Sequence, residues 1–255
     1  MGSAKIYKDN RTNRIGLDKE FIRIFDENRI YYGGNQVWFS DAYWKNIHDL
    51  GCGIIAAVNV YLYISGNRSL SKENYSILVE DFVKKYPFSR VLMTSFPGFS
   101  LGIAPFEINA YLKARLRAEG IPVHVKWVGT FSGSRKEELS KIEEMVSSDI
   151  PVVWAIHSQD KKPVKFYQYD TNKNAYIDDY VKFSDGTKGC QSCTSHYVVI
   201  TGIQKAGERI MLEISSWGDK YYVDYAEYLM ANESGSIINK CINNKFSSIV
   251  QIIKD

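Results

Sequence analysis

One stretch of this 255-residue chain constrains its fold more than any other, and it runs from Cys52 to Ser65. Apolar residues fill nearly every side of it when it is drawn as a helix: Ile54, Ile55, Ala56, Ala57, Val58, Val60, Leu62 and Ile64. A helix that is apolar on all sides is buried on all sides. Asp49 precedes the run as a candidate N-cap, and Gly66 follows it as a candidate C-cap. The sequence therefore predicts a central helix enclosed by the rest of the protein.

The apolar spacing changes along the chain from a helical period to a strand period. Further helices are predicted over residues 71–86, from Pro105 to Gly120, and after a capping box formed by Ser134 and Glu137. Beyond Gly120, strands are predicted at 121–127, 151–156, 197–203, 209–214, 221–225 and 249–253. Helices followed by a largely antiparallel sheet indicate an α+β fold. The change near Gly120 predicts two lobes packed together, a helical lobe over 1–119 and a sheet lobe over 120–255.

Composition and charge narrow the class of protein. Hydrophobic residues make up 45% of the chain and charged residues 24%, which is enough apolar material for a packed core. The net charge of +3, with both signs interspersed, gives no reason to expect nucleic acid as a partner. No apolar run is long enough to span a bilayer, and no hydrophobic signal segment follows the first residues. We expect no membrane insertion and a cytoplasmic location, unless a leader has been trimmed; the oligomeric state is not readable.

Cys52 stands where the central helix is predicted to begin, and that position suits a nucleophile. Unpaired backbone N–H groups and the positive end of the helix dipole favour thiolate over thiol there. The flanking Gly51 and Gly53 carry no side chain, which would let a substrate carbonyl approach the sulfur. The alternative is that Cys52 is a small apolar packing residue, as most free cysteines are.

A thiol nucleophile needs a base, and the chain has 4 histidines. His48 lies in a polar segment ahead of the predicted helix, His124 lies within a strand, and His157 ends another strand. His196 opens the apolar strand that continues to Ile203, which places its ring at the edge of the second lobe. A histidine at a strand end is usually structural, so none of these is assigned from its position alone.

Three segments taken in order resemble the papain-like cysteine peptidase superfamily, and within it the bacterial peptidase C39-like proteins. They read GCGIIAAVN from Gly51, SHYVVITG from Ser195 and ISSWGDKYY from Ile214. The resemblance covers about residues 31–228. It implies a papain-like fold, in which a helical lobe carries a buried nucleophile helix against an antiparallel sheet lobe. It also implies Cys52 as nucleophile, His196 as general base and acid, and a peptide or protein as substrate.

The third catalytic residue departs from the family pattern. Papain-like enzymes use an Asn at this position, and C39-like proteins use an Asp, to orient the histidine. Ser215 takes that position here, in the segment Ser-Ser-Trp-Gly. A hydroxyl accepts a hydrogen bond from the imidazole but stabilises an imidazolium less than a carboxylate does. Asp219 could substitute for it, or the chain could be catalytically silent; Trp217 is expected to cover the histidine.

The resemblance further implies a glutamine upstream of the nucleophile, whose amide binds the oxyanion. Gln36 is the candidate, because glycines and aromatic residues around it suggest an ordered loop approaching the site. The spacing found in papain itself would instead indicate Asn46. The implied reaction is hydrolysis of a peptide or amide bond through a thioester, without a cofactor. The same groups could transfer the acyl chain to an amine or deamidate glutamine, and a binding module without turnover is the other alternative.

An alternative interpretation places a zinc site at Cys190, Cys193 and His196, which are spaced as Cys-x-x-Cys-x-x-His. Cys52 or Cys241 would have to supply the fourth ligand. A structural zinc site usually draws on two such knuckles, and the chain has no second Cys-x-x-Cys. The sequence therefore predicts a protein without a bound metal.

Overall fold

The computed structural model describes residues 6–8, 13–27, 29–40, 45–86, 102–129, 135–158, 162–177, 192–233 and 247–254. Over these ranges the protein has an α+β architecture, as the sequence predicts. Its α-helices are Lys45–Leu50 (α1), Cys52–Ser65 (α2), Lys72–Lys85 (α3), Pro105–Ala118 (α4), Arg135–Ser147 (α5) and Tyr225–Asn232 (α6). A short 3-10 helix spans Gln36–Trp38. None of the described helices is both long and apolar enough to cross a membrane.

The strands form one large antiparallel sheet and several small ones. They are Ile6–Lys8 (β1), Asn13–Gly16 (β2), Arg23–Asp26 (β3), Arg29–Tyr32 (β4), Ser69–Ser71 (β5), Val123–Gly129 (β6), Val152–His157 (β7), Val164–Lys165 (β8), Gln168–Asp170 (β9), Ala175–Ile177 (β10), Ser192–Cys193 (β11), Ser195–Ala206 (β12), Arg209–Ser216 (β13), Asp219–Asp224 (β14) and Ser248–Lys254 (β15). The large sheet has the order β14-β13-β12-β7-β15-β6. Each strand predicted after Gly120 corresponds to one of these, with ends that differ by a few residues.

Strand β12 organises the large sheet. One of its edges pairs with β13, while the other pairs with β7 up to Ile200 and with β2 from Gly202 onward. The register of the β12–β13 pair shifts between the same two residues. The helix α2 packs directly against β12. Cys52 lies at the beginning of α2 and His196 lies at the beginning of β12, so this packing brings the two helix and strand ends near each other.

The central helix α2 forms over the predicted residues and is buried along almost its whole length. Gly66 ends it in the left-handed conformation, with φ of 84°, as a C-capping glycine does. The prediction that Asp49 caps its beginning is wrong, because Asp49 lies inside α1 and Gly51 occupies the N-cap position. A Cβ atom on Gly51 would lie 2.5 Å from the carbonyl oxygen of Ile47, so the tight junction between the two helices requires glycine.

The other helices agree with the sequence in place and type. Ser71 caps α3 by accepting a hydrogen bond from the Asn74 N–H, and Pro105 occupies the first turn of α4. Of the capping box predicted for α5, Ser134 lies outside the described residues, and Glu137 lies in the first turn.

The segment 1–119, predicted as a helical lobe, also contains strands that the sequence did not predict. This part of the chain also contains β2, which joins the large sheet, and the small sheet β4-β3-β5. These strands are 3 or 4 residues long. So short a segment shows too few alternations for a strand period to be recognised. The division into two lobes at Gly120 stays a prediction.

A buried carboxylate ties β13 to its neighbours. Glu213 is 1% exposed, and its Oε1 accepts from Arg14 and from Lys220, each at 3.1 Å. The Tyr32 and Thr201 hydroxyls also lie within hydrogen-bonding distance of it. Burial alone would raise the pKa of Glu213, but the two cations outweigh burial and lower that pKa. This ion cluster holds β2, β4 and β14 around the strand that leads to the site.

Candidate active site

Cys52 is the first residue of α2 and is partly exposed. Burial among protein atoms raises the pKa of its thiol, and this effect outweighs hydrogen bonds from the backbone N–H groups of Tyr197, Gly53 and Cys52 itself. The helix terminus does supply N–H groups to the sulfur, as the sequence predicts. The prediction that they lower the thiol pKa overall is wrong for this state, because the desolvation of the charged form is larger.

His196 is the second residue of β12, and it is buried. Its Nε2 lies 2.8 Å from the Oγ of Ser216, the last residue of β13. Burial lowers the pKa of His196 to about 3, so the ring is neutral at physiological pH. Because Nε2 is held by Ser216, Nδ1 is the ring nitrogen left for chemistry.

Cys52, His196 and Gln36 line one small cavity between α2 and the ends of β12 and β13. The sequence placed these three residues in one site although they are far apart in the chain, and the structure brings them together. The free space of the cavity suits about one water molecule. Among the described residues no hydrogen bond joins Cys52 to His196, so the two side chains line the same cavity without contacting each other through a hydrogen bond.

The prediction that Ser215 orients His196 is wrong. Ser215 also lines the cavity, but its Oγ donates to the carbonyl oxygen of Tyr32 at 2.8 Å and not to the imidazole. Successive residues of a strand point to opposite faces, so only one of two adjacent serines can reach the ring. Ser216 is that residue. The alternative Asp219 is engaged elsewhere, since its carboxylate lies 2.7 Å from the guanidinium of Arg29.

Trp217 covers the histidine, as the sequence predicts. The two rings are stacked with centroids 4.4 Å apart and planes 16° apart, and Phe166 lies 5.3 Å from the indole. Trp217 and Gly218 form the two-residue turn between β13 and β14, with φ of 49° and 76°. Positive φ at both positions is the pattern of a type I′ turn, in which Asn and Gly are preferred. A tryptophan there costs about 1 kcal/mol, and its contact with His196 explains why that strain is kept.

Gln36 begins the 3-10 helix and is buried. Its Nε2 donates to the carbonyl oxygen of His48 at 2.8 Å. A primary amide has two N–H donors, so one of them remains for a ligand in the cavity. The alternative Asn46 lies in α1 and is not among the residues that line the cavity. The structure therefore favours Gln36 over Asn46 as the side-chain donor.

The other histidines lie away from the cavity. His48 is in α1, not in a loop, and its Nδ1 contacts the carboxylate of Asp49. His124 is exposed on β6. The backbone carbonyl of His157 accepts from Asn232 at 2.7 Å, at the end of β7. Of the 4 histidines, all of which the structure describes, His196 alone lines the site.

Glycine at position 53 is required by packing, and its expected role in substrate approach stays a prediction. A Cβ atom added there would lie 1.9 Å from Cγ2 of Ile103 and 3.1 Å from Cδ2 of Tyr197. The absence of a side chain lets α2 press against its neighbours at this point. Together with Gly51 at the helix junction, Gly53 fixes where Cys52 lies.

Besides Ser216, a further residue of the site was not predicted from the sequence. Asn59 is the polar residue within the apolar run of α2, and it lines the same cavity as Cys52. It is 2% exposed, and its Oδ1 accepts hydrogen bonds from the backbone N–H of Gly34 and the hydroxyl of Tyr75. A lone polar residue in a fully buried helix was the available signal, since such a group must find partners inside the protein.

The zinc alternative is not assembled by the residues that the structure describes. They contain no group of three or more His, Cys, Asp and Glu side chains placed to hold a metal. Cys193 lies on β11, and His196 Nε2 lies 2.8 Å from Ser216 Oγ. Cys190 and Cys241, which this alternative also uses, lie outside the described residues.

Comparison with known proteins adds no family assignment. No protein-family model matches the chain, and no curated protein is significantly similar to it. A function for this chain therefore depends on the geometry of the cavity at the beginning of α2.

Proposed function

We propose that the chain is a papain-like cysteine hydrolase that cleaves peptide or amide bonds of a peptide or protein substrate. Cys52 is the nucleophile, His196 is the general base and acid, and Gln36 is the oxyanion donor. Ser216 takes the orienting role first assigned to Ser215. The observation that carries the proposal is the meeting of Cys52, His196 and Gln36 at one cavity, with Cys52 at the beginning of a helix.

The proposed reaction assigns one residue of the cavity to each step. Nε2–H of His196 donates to Ser216 Oγ, which leaves Nδ1 to take the proton of the Cys52 thiol. The sulfur attacks the substrate carbonyl carbon, and the resulting oxyanion is bound by the Cys52 N–H and the Gln36 amide. The C–N bond then breaks as His196 returns the proton to the leaving amine. Water, deprotonated by His196, cleaves the thioester and restores the thiol.

The absence of a direct hydrogen bond between Cys52 and His196 does not conflict with this assignment. Catalytic hydrogen bonds are often long before substrate binds and shorten in the reactive complex. Water as the second reactant gives hydrolysis, which is deamidation where the first substrate is a glutamine side chain that loses ammonia. An amine as the second reactant gives acyl transfer.

A binding module without turnover is the second candidate, and a specific observation favours it. Burial raises the pKa of Cys52 and lowers the pKa of His196, so both groups are held in their neutral forms. Ser216 offers neither the charge of an aspartate nor the rigid amide of an asparagine. Such a site would bind a peptide without attacking it.

Trapping the acyl-enzyme distinguishes the two candidates. The protein is incubated with a library of peptide thioesters and anilides, quenched in acid, and its intact mass is measured. We expect an acyl adduct that peptide mapping assigns to Cys52, absent in Cys52→Ala and strongly slowed in His196→Ala. His124→Ala is the matched control, because that histidine is exposed and outside the site. Binding of peptides without any adduct in the wild-type protein would establish the binding module instead.

A further inference from the structure

We infer that Asn59 is a positioning residue for Gln36, which it holds in place through the backbone at Gly33 and Gly34. The inference rests on the proposed function of Gln36 as the oxyanion donor. Asn59 stands seven residues after Cys52, which is about two turns of helix, so both side chains lie on the same face of α2. That face also carries Ile55 and borders the cavity.

Hydrogen bonds fix the direction of the Asn59 amide. Its Oδ1 accepts from the Gly34 N–H at 3.0 Å and from the Tyr75 hydroxyl at 2.9 Å. Because both partners are donors, the oxygen of the amide must face them and Nδ2 must face away. The Tyr75 hydroxyl also lies 3.2 Å from the carbonyl oxygen of Ile55, so this side chain of α3 is placed against two acceptors of α2. Asn59 is therefore a fixed point against which the loop is docked.

The loop that leads to Gln36 fits closely against this fixed point. Gly33 has φ of 85°, and a Cβ atom on it would lie 2.8 Å from Asn59 Nδ2 and 2.5 Å from Ser215 Oγ. A Cβ atom on Gly34 would lie 2.1 Å from the Tyr75 hydroxyl oxygen. The two glycines thus bring the backbone into direct contact with Asn59, Tyr75 and Ser215. The position of this backbone leaves little freedom to the residues that follow.

Asn35 connects the fixed backbone of Gly34 to Gln36. Its Oδ1 accepts from the Val37 N–H at 3.0 Å and so caps the 3-10 helix that Gln36 begins. The path from the nucleophile helix to the oxyanion donor is therefore continuous: Asn59 holds Gly34, Asn35 follows it and caps the helix, and the Gln36 amide lies in the cavity with Cys52. The orientation of the donor is tied to the same helix that positions the sulfur.

The test compares two reactions of Cys52. Acylation by a peptide thioester needs an oxyanion donor, whereas alkylation by iodoacetamide displaces iodide and does not. Loss of one oxyanion donor typically costs roughly 100-fold in rate, so we expect that loss for Gln36→Ala. For Asn59→Ala we expect roughly a tenfold loss of acylation, since the donor is kept but misplaced, with alkylation changed less than about twofold. In the Gln36→Ala background, Asn59→Ala should cause no further loss.

Two controls separate positioning from general destabilisation. Asn232→Ala removes another buried asparagine, one whose Nδ2 donates to the His157 carbonyl and the Ser247 hydroxyl, far along the chain from Gln36. It should lower stability while leaving the ratio of acylation to alkylation unchanged. Tyr75→Phe keeps the ring but removes the hydroxyl that donates to Asn59. This variant replaces Asn59→Ala in the same measurements if Asn59→Ala does not fold. An equal loss from Asn59→Ala with and without Gln36 would overturn the inference.

A second readout does not require the protein to be an enzyme. The side-chain amide protons of Gln36 are observed by NMR in protein labelled with 15N-glutamine. In the wild-type protein one of them is bonded to the His48 carbonyl and should exchange slowly. Asn59→Ala should shift and speed the exchange of this signal, while Asn232→Ala should not. If wild type forms no acyl adduct, the proposed function fails, and an unchanged Gln36 signal in Asn59→Ala would separately overturn the positioning role.

Discussion

Replacing Ser216 by alanine tests the corrected site most directly. The substitution removes the hydroxyl that lies 2.8 Å from His196 Nε2 and leaves the strand backbone of β13 in place. A hydrogen bond between neutral groups contributes about 1 kcal/mol, which corresponds to roughly a fivefold change in rate. If the buried ring nitrogen is also left without a partner, the loss rises to about 3 kcal/mol, or roughly 150-fold. We therefore expect acylation of Cys52 to slow by a factor between these limits.

Ser215→Ala is the matched control for that experiment. It removes a neighbouring buried hydroxyl of the same strand, but one that donates to the Tyr32 carbonyl and not to the histidine. The measurement is the acylation rate, together with the 15N chemical shifts of the His196 ring, which report the tautomer. Ser216→Ala should change both, and Ser215→Ala should leave the ring shifts unchanged. A larger effect of Ser215→Ala on the ring, or a loss near the 10⁴-fold typical of an orienting aspartate, would refute the reasoning.

Three further predictions follow from local charges and strain. Trp217→Asn replaces a strained residue by one that accepts positive φ, so stability should change little. The substitution also uncovers the imidazole, so the pKa of His196 should rise from about 3 toward its ordinary value in an NMR titration. A pKa that stays low would contradict the covering role of Trp217. Glu213→Gln should lower the free energy of unfolding at neutral pH by about 2 kcal/mol, the size of a hydrogen bond to a charged group, because Arg14 and Lys220 are partly exposed and remain solvated. Because the folded pKa of Glu213 is lowered, its contribution is present above the ordinary glutamate range and disappears as pH falls through the folded pKa, so urea curves of variant and wild type should converge in acid. Alkylation of Cys52 should keep accelerating above the ordinary thiol range, since burial raises its pKa; a plateau near neutral pH would show a preformed thiolate.

The sequence was most informative where long apolar patterns occur. The run from Cys52 to Ser65 predicted a helix at the right place because many residues repeat the same apolar signal. The proline that begins α4 predicted the start of that helix because its ring suits the first helical turn. The strands β2 to β5 were missed because each is too short to show a period. The tight junction at Gly51 was also missed, since it depends on contact with the Ile47 carbonyl and not on local propensity.

Within the site, sequence indicated which residues meet but not how they touch. Cys52, His196 and Gln36 were brought together by their order along the chain and by the resemblance that order carries. The choice between Ser215 and Ser216 depends on which face of β13 meets the imidazole, and a one-residue shift reverses the face. The role of Asn59 depends on the path of a glycine loop that is remote in sequence. Both are consequences of packing, which local patterns do not encode.

The raised pKa of Cys52 and the lowered pKa of His196 both favour the neutral form of the group, and this sets a condition for any activity. Burial disfavours both the Cys52 thiolate and the His196 imidazolium, so proton transfer between them creates two charges in a cavity with room for about one water molecule. Each unit of pKa shift adds about 1.36 kcal/mol to that step. The backbone N–H groups at the beginning of α2 and at Tyr197 offset this cost by donating to the sulfur, and the Ser216 hydroxyl oxygen offsets it by accepting from Nε2–H of the imidazolium. Trp217 stacks on the imidazole, so displacement of this side chain by substrate would admit polar groups to the ring.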